Sequence, residues 1–469
     1  MKRIIFLSII LLLLCIAPMS ISQANTNQDL HMSYKIKGNG TAILTAYYWN
    51  WNEDNDVYIP RTIDGYTVTE IGDYCFSPYS QPGSSERYFE GYMSWHKLKD
   101  SCYGVDRIAH KYSKPVAIIL PDTIKVIGEK AFFCTDIASC NIPASVEYIG
   151  SGAFAGCTNI TQFSVQNGSD TFAVIDGVLY NKKTKELVAF PVSNRNGENV
   201  ESISIPEGIK SIGDYAFFGM DYTLNNTECL KKENGRPIEF PSTLTHIGKY
   251  AFAYAVIGNN KNEFNLNNVS TIDDNCFYYA RILTNSEDER IILPSTVSDI
   301  GEHAFYGVSQ TIDLSYSSIS SIPTEAFSYD RVNHGNIPVE KKVVYLPSTI
   351  KEICNKAFSF TAVLNEATFS DCKQLKTIGD EAFLGAITEN ESKVVLPEGI
   401  ESIGNKAFFS DDISLLVIPS SVKSIGSDIC DRTHTKLQVE SGSYAEFYAL
   451  ENGIPFIYSS GEDTSWLND

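Results

Sequence analysis

The sequence predicts a curved, right-handed solenoid, with a parallel sheet on its concave side and short helical or irregular segments on its convex side. One motif recurs about twelve times, and its copies between Pro206 and Pro419 follow at intervals of 22 to 35 residues. A β-rich run precedes most copies, as at residues 116–120. Repeats of this length each form one coil, and neighbouring coils must stack to bury their apolar faces.

The repeated motif is apolar-Pro, two residues, an aliphatic residue, two residues, Ile-Gly, two residues and Ala-Phe. One copy contains Leu120-Pro121, Ile124, Ile127-Gly128 and Ala131-Phe132. Further copies begin at Pro60, Pro143, Pro206, Pro241, Pro294, Pro347, Pro397 and Pro419, and degenerate copies close at Phe277, Phe327 and Phe383. This period predicts a leucine-rich-repeat solenoid.

Each position of the motif predicts a structural role. Proline ends the strand because it has no amide hydrogen to donate to a neighbour. Glycine is expected to permit a tight or positive-φ turn, and alanine to let the return segment approach closely. Phenylalanine should fill the space between coils, so that the stacked coils share one continuous core.

We divide the chain into four parts. Residues 1–24 are a predicted signal peptide, because Lys2 and Arg3 precede an apolar stretch and Ala24 ends a small-residue cleavage site. Residues 25–58 are the expected N-terminal cap, and 59–430 the repeat array, with insertions at about 77–115 and 163–192. Residues 431–469 form a C-terminal cap and polar tail. No other apolar stretch is long enough to span a membrane, so we expect a secreted or cell-surface protein.

The motif closely resembles that of the BspA-like leucine-rich-repeat family, over roughly residues 34–457. Residues 172–181 and 187–191 resemble the family's β-hairpin insertion, which accounts for the 63-residue gap between Pro143 and Pro206. Residues 443–456 resemble its closing helix and strand. The resemblance implies a bacterial or protozoan surface or secreted protein that binds matrix proteins or other cells, and it supplies no catalytic residue.

The net charge and the motifs of the chain argue against several classes of function. The formal charge of −20 argues against a nucleic-acid partner, because phosphate binding needs clustered Lys and Arg, and it favours a soluble monomer. No nucleophile elbow, metalloprotease helix or phosphate-binding glycine loop is present, so we expect no catalytic, cofactor or metal site. The leading function is non-enzymatic adhesion to a protein or cell surface, and surface glycan binding is the alternative.

Ten cysteines remain after the expected cleavage, and their positions favour buried, unpaired thiols. Cys75 and Cys276 occupy the alanine position, Cys354 the glycine position and Cys430 the phenylalanine position. Free cysteine behaves there as a small hydrophobic residue. Export leaves open one or more disulfides among Cys102, Cys134, Cys140 and Cys229.

A column of strand residues is the first candidate binding surface. The residue two positions before each proline should point away from the core, because side chains alternate along a strand. In the C-terminal half this column contains Ile292, Tyr345, Val395 and Val417. A contiguous apolar stripe would suit a partner, whereas the rival interpretation is that these residue types simply favour strands.

The aromatic insertion at 77–115 is the second candidate. It includes Tyr88, Tyr92 and Trp95. Aromatic residues with polar neighbours suit protein or glycan contacts. The alternative is a loop that packs over the N-terminal coils.

Overall fold

The chain forms a parallel β-solenoid of about twelve turns. The computed structural model describes residues 25–27, 31–47, 56–77, 116–135, 137–192, 202–220, 236–258, 264–284, 290–329, 341–388 and 393–459. Within them the only helix is α1 (Tyr444–Asn452), so the return segments of the coils are turns and short strands.

The strands of the N-terminal half are β1 (Asn25–Asn27), β2 (Met32–Ile36), β3 (Thr41–Tyr47), β4 (Val57–Tyr58), β5 (Thr62–Ile63), β6 (Tyr66–Ile71), β7 (Val116–Ile119), β8 (Val126–Ile127), β9 (Ile137–Ile142), β10 (Tyr148–Ile149), β11 (Ser164–Val165), β12 (Phe172–Ile175), β13 (Val178–Asn181), β14 (Glu186–Ala189), β15 (Ile203–Ser204), β16 (Ser211–Ile212), β17 (Ile238–Glu239) and β18 (His246–Ile247). Those of the C-terminal half are β19 (Val256–Gly258), β20 (Thr271–Ile272), β21 (Arg281–Leu283), β22 (Arg290–Ile292), β23 (Asp299–Ile300), β24 (Thr311–Asp313), β25 (Ser321–Ile322), β26 (Lys342–Val343), β27 (Glu352–Ile353), β28 (Ala362–Leu364), β29 (Thr377–Ile378), β30 (Ile387–Thr388), β31 (Lys393–Val395), β32 (Ser402–Ile403), β33 (Leu415–Val417), β34 (Ser424–Ile425), β35 (Lys436–Val439) and β36 (Phe456–Tyr458).

Each coil contributes to two parallel ladders. Strands at the proline end of the motif, such as β4, β7 and β9, form the proline ladder. Two-residue strands that end on the isoleucine of Ile-Gly, such as β16, β18 and β20, form the glycine ladder. The sequence predicted one strand per coil. The second arises because the backbone groups of the return segment also pair between coils, as where the Gly248 amide donates to the Ile212 carbonyl over 2.9 Å.

The Ile-Gly glycines have a different role from the predicted one. None of them has a positive φ. A Cβ at Gly301 would lie 2.3 Å from the backbone nitrogen of Asp274, and one at Gly404 would lie 2.4 Å from that of Asp380. The close approach of successive coils therefore requires glycine here, rather than a left-handed backbone.

The left-handed backbone occurs two residues after the glycine position. Residues there have φ between 49° and 61°: Tyr74, Lys130, Gly152, Tyr215, Tyr250, Asn275, His303, Glu325, Lys356, Glu381, Lys406 and Asp428. Only one is glycine, and the left-handed conformation costs other residues about 1–2 kcal/mol each. Hydrogen bonds between coils offset this cost, as where the Lys356 amide donates to the Asp380 carbonyl over 2.8 Å.

Side chains next to the glycines also join the coils. The Asp380 carboxylate accepts the Asn405 amide over 2.7 Å, and the Asn405 side chain accepts the Ser427 amide over 2.8 Å. The same contact joins Asp214 to Lys249 and Asp274 to Glu302. These bonds give an acceptor to backbone amides that the two-residue strands leave without a backbone partner.

The phenylalanines of the motif stack along the interior. Phe132, Phe217 and Phe408 are fully buried, as the motif predicts. Ring centroids 4.8 to 5.4 Å apart form one uninterrupted stack that contains Phe190, Phe217, Phe252, Phe277, Phe305, Phe327, Phe358, Phe383 and Phe408. A shorter stack contains Tyr47, Phe76, Phe132 and Phe154.

The prediction of one continuous core was wrong at the insertion, because the buried residues form two clusters. The N-terminal cluster contains the shorter stack and the C-terminal cluster the longer one. The inserted strands β12, β13 and β14 pair antiparallel between them. Leu179 packs in the N-terminal cluster, whereas its neighbours Val178 and Tyr180 pack in the C-terminal one. Strand β14 then pairs with β16, so an inserted strand begins the second column of coils.

An outer layer of side chains joins the two clusters. We call it the aromatic clasp, and its buried members are Phe133, Ala155, Tyr215, Phe218, Ala253 and Tyr254. The ring of Phe133 meets that of Tyr215 edge-on at 6.4 Å. The Lys130 ammonium lies 5.0 Å from the centre of the Tyr215 ring, a cation–π contact.

Both ends of the described solenoid are covered. Strands β1, β2 and β3 pair antiparallel at the N-terminal end. At the other end Ser443 caps α1 by accepting the Glu446 amide, and Gly453 ends it with a φ of 63°. The Tyr448 hydroxyl donates to the Gly426 carbonyl over 2.8 Å and so ties the helix to the last coil.

Candidate binding surface

The predicted column of outward residues lies on the proline ladder, but a charged residue interrupts it. Ile292 is 47% exposed, and it pairs with Asp313, which pairs with Tyr345. Asp313 is 2% exposed and accepts a hydrogen bond of 3.2 Å from Arg290. The Arg290 guanidinium lies 5.2 Å from the centre of the Tyr345 ring. Ile292 and Tyr345 are therefore near neighbours, separated by the ion pair between Arg290 and the buried Asp313.

Val395 and Val417 form a second, separate pair. They face each other in register across β31 and β33, and both are half-buried. Strands β31 and β33 pair in a different sheet from β26, the strand that leads into Tyr345. The four apolar residues thus do not form one contiguous stripe. The column read from the prolines omitted the degenerate coils, one of which supplies Asp313.

The most exposed part of the column lies in the N-terminal half. Tyr58 is 68% exposed and pairs with Ile119, which is also exposed. Asn141 and Ser164 continue the row. Sequence reasoning did not single out Tyr58, although it occupies the same position before Pro60. The structure therefore adds an exposed aromatic–aliphatic pair at the N-terminal edge of the proline ladder.

Residues Tyr88, Tyr92 and Trp95 of the aromatic insertion lie outside the described residues. The described coils carry a different aromatic layer, on the turns that follow Ala-Phe. Tyr254, Tyr278, Tyr279 and Tyr306 form it, with ring centroids 4.8 to 5.9 Å apart. The signal in the sequence was the repeated aromatic residue one or two positions after the motif phenylalanine.

In the later coils the left-handed residue immediately before Ala-Phe is charged. Glu325 lies 3.3 Å from His303 and 3.6 Å from Lys356, and Glu381 lies 4.0 Å from Lys356. The hydrogen bond from His303 and the nearby Lys356 lower the pKa of Glu325. The later coils therefore carry a row of ion pairs beside the turns that follow Ala-Phe.

Six of the eight described cysteines are buried in the core, and Cys134 and Cys354 are half-buried. Of the four considered for disulfides, Cys140 is a buried free thiol, Cys134 is half-buried, and Cys102 and Cys229 lie outside the described residues. Burial raises the pKa of Cys140 to about 12. Such thiols are poor nucleophiles because the reactive thiolate is scarcely populated.

The part of the chain that the structure describes has neither a metal-binding cluster nor a membrane-spanning helix. No group of three or more His, Cys, Asp or Glu side chains there is arranged to hold a metal ion. No helix there combines the length and apolar character needed to cross a bilayer.

Several solved structures are similar to this chain. A leucine-rich repeat protein from Bacteroides ovatus is 21% identical, with 91% of this chain and 98% of that one covered and a TM-score of 0.41. The pneumococcal vaccine antigen PcpA is 16% identical, with 93% and 98% covered and a TM-score of 0.32. A leucine rich cell surface protein from Faecalibacterium prausnitzii is 18% identical, with 92% and 97% covered and a TM-score of 0.22. None of the curated proteins compared with the chain matches it.

A protein-family model also matches the chain. The model of the BspA type leucine rich repeat region matches in six copies, over residues 85–195, 193–329 and 340–441. These ranges cover most of the 469 residues and include coils of both core clusters. The chain therefore belongs to the BspA-type leucine-rich-repeat family.

Proposed function

We propose that this chain is an exported, non-catalytic scaffold that binds a protein at a cell surface or in the extracellular matrix. The observation that carries the proposal is the exposure of large apolar side chains on the proline ladder, above all Tyr58, Ile119 and Ile292. Tyr58 and Ile119 lie side by side at the start of a row of paired strands, and a soluble protein seldom exposes such a contiguous apolar pair unless a partner covers it. Parallel pairing keeps the row rigid, which lowers the entropic cost of binding.

Export and surface location rest on the residues of the predicted signal peptide, 1–24, and on family membership. One similar structure is that of a protein described as a cell surface protein. The family's repeats are generally binding scaffolds rather than catalysts. The net charge of −20 supports a monomer that meets its partner through a local patch.

A binding screen of the mature chain tests the proposal. Surface-immobilised matrix proteins and cell-surface proteins are compared with polysaccharides as ligands. Tyr58→Asp and Ile292→Asp should each weaken binding to a protein ligand by about tenfold or more if they lie at the centre of the contact. Tyr345→Asp and Val395→Asp test the other column residues. The matched control is Tyr316→Asp, because Tyr316 is equally exposed but lies in a turn outside both ladders.

Unaltered protein binding by Tyr58→Asp and Ile292→Asp, with unchanged melting temperatures, would eliminate the proline ladder as the binding face. Binding to polysaccharides alone would favour the second candidate, a surface glycan-binding protein. The exposed ring of Tyr58 supports that candidate, because aromatic rings offer a broad apolar face with a polar tip.

A further inference from the structure

The C-terminal cap carries an apolar surface that the cap itself does not need. Helix α1 covers the last coil with Ala445, Tyr448 and Ala449, which are buried. A different face of the same helix presents Tyr444, Phe447 and Leu450, which are 45%, 58% and 51% exposed. The outer face of a terminal cap is normally polar, because this keeps a repeat array soluble. Helix α1 is therefore apolar on two faces, and only one of them stabilises the fold.

The exposed face has the size of a single docked segment. Tyr444, Phe447 and Leu450 are three residues apart, so they form a stripe along one side of the helix. The stripe is about 9 Å long, because an α-helix rises about 1.5 Å per residue. A stable dimer interface buries about 800 Å² on each partner, more than three partly exposed side chains supply. One amphipathic segment matches the stripe better than a second folded domain does.

The charges around the stripe favour a binding segment that carries basic residues. Glu451 lies on the same side of the helix as Phe447, one turn later, and is exposed. Within the described residues it has no hydrogen bond or ion pair. The last turn of α1 contains no basic residue, so the negative end of the helix dipole and the Glu451 carboxylate add to each other. Glu446 flanks the other side of the stripe and is already bonded to Gly442 and Tyr458.

These observations argue against a second copy of this chain. A twofold contact through the stripe would place the acidic side chains Glu446 and Glu451 of both copies in one interface. Each copy also carries a formal charge of −20. Like charges brought into contact without water between them destabilise an interface.

We propose that the Tyr444–Phe447–Leu450 stripe of α1 is a docking site for a basic amphipathic segment of a partner protein. Apolar side chains of the segment lie on the stripe. A Lys or Arg pairs with Glu451 and the C-terminal end of the helix. The site lies at the end of the solenoid and uses none of the outward residues of the proline ladder.

The test uses the mature full-length chain and two synthetic helical peptides with the same leucine pattern, one with lysine and one with glutamate at the polar positions. The lysine peptide should bind, and added salt should weaken it, because exposed charge pairs are screened. The glutamate peptide should not bind. Phe447→Ala should weaken binding about tenfold or more, as expected for a central aromatic contact. Glu451→Gln should cause a smaller loss and a shallower salt dependence.

Two controls separate this site from others. Tyr316→Ala removes an aromatic ring of similar exposure elsewhere, and Ile292→Asp alters the proline ladder. Both should leave lysine-peptide affinity unchanged, and circular dichroism should show that every variant is folded. If Phe447→Ala binds the lysine peptide as the unmodified chain does, the peptide is held by general acidity and the proposal fails. It also fails if sedimentation shows a dimer that Phe447→Ala abolishes, or if Phe447-dependent binding is found for anionic vesicles instead of the peptide.

Discussion

The two core clusters are built from the same repeated motif, yet they differ in length and in what begins them. The N-terminal cluster starts from an antiparallel cap and stacks four aromatic rings, from Tyr47 to Phe154. The C-terminal cluster starts from the inserted strand β14 and stacks nine phenylalanines without a break. A repeat array therefore continues only as far as each coil offers its neighbour both a ladder strand and a ring. An insertion that replaces one coil divides the core without ending the fold.

The largest expected effect on stability comes from removing one ring from each stack. Phe132 and Phe277 are both fully buried between two stacked neighbours, so Phe132→Ala and Phe277→Ala should each cost about 3–5 kcal/mol. Because the clusters are separate, each change should lower the urea midpoint of its own cluster more than that of the other. Labelling of buried cysteines during urea unfolding measures both midpoints. Equal shifts at both clusters would show a single cooperative core.

A second test concerns the contact between coils. Gly404→Ala places a methyl group 2.4 Å from the Asp380 nitrogen, so the coils must separate locally, at a cost of about 1–3 kcal/mol. Gly38→Ala is the matched control, because its Cβ would meet nothing within 4 Å. Denaturant titration of the two variants compares them. A Gly404→Ala protein as stable as the control would refute the close-approach explanation.

The aromatic clasp should contribute a smaller coupling between the two clusters. Phe133 belongs to the N-terminal coils and Tyr215 to the C-terminal ones, and their rings meet edge-on. A double-mutant cycle of Phe133→Ala and Tyr215→Ala should give a coupling of about 0.5–1.5 kcal/mol. Additive changes in unfolding free energy would mean that the clasp does not link the two clusters.

The smallest expected effect depends on pH. The hydrogen bond from His303 and the charge of Lys356 lower the pKa of Glu325 below that of the unfolded chain. A carboxylate with a lowered folded pKa stabilises the fold above its unfolded pKa, near 4.3, and this stabilisation is lost as pH falls through the folded value. Glu325→Gln should therefore reduce stability at neutral pH and have little effect at strongly acidic pH. A difference between the variants that does not change with pH would contradict this account.

Side-chain periodicity predicted the repeat, the number of turns and the buried rings, because Ile, Ala and Phe recur where each coil needs them. It did not predict the glycine ladder, because a two-residue strand is defined by backbone bonds between coils and leaves little pattern in one chain. The left-handed positions were also missed, since Tyr215, Lys356 and Glu381 are residues that rarely adopt that conformation alone.

The candidate surface was only partly predictable for a related reason. The proline-based column identified Ile292 and Tyr345, but the intervening Asp313 comes from a coil that lacks the proline. Its burial depends on Arg290, two residues before Ile292, and no single-repeat pattern contains that pair. The exposure of the apolar stripe of α1 could not be predicted either, because its residues resemble the buried face of any short amphipathic helix.

Urea-dependent thiol labelling of the unmodified protein tests the division of the core most directly. Cys75 and Cys140 report on the N-terminal cluster, and Cys276, Cys372 and Cys430 report on the C-terminal one. Burial raises the pKa of each of these thiols, to about 12 for Cys140, Cys372 and Cys430, so none should react in the folded protein. We predict that the two groups become reactive at two different urea concentrations. Exposure of all five thiols in one shared transition would contradict the account.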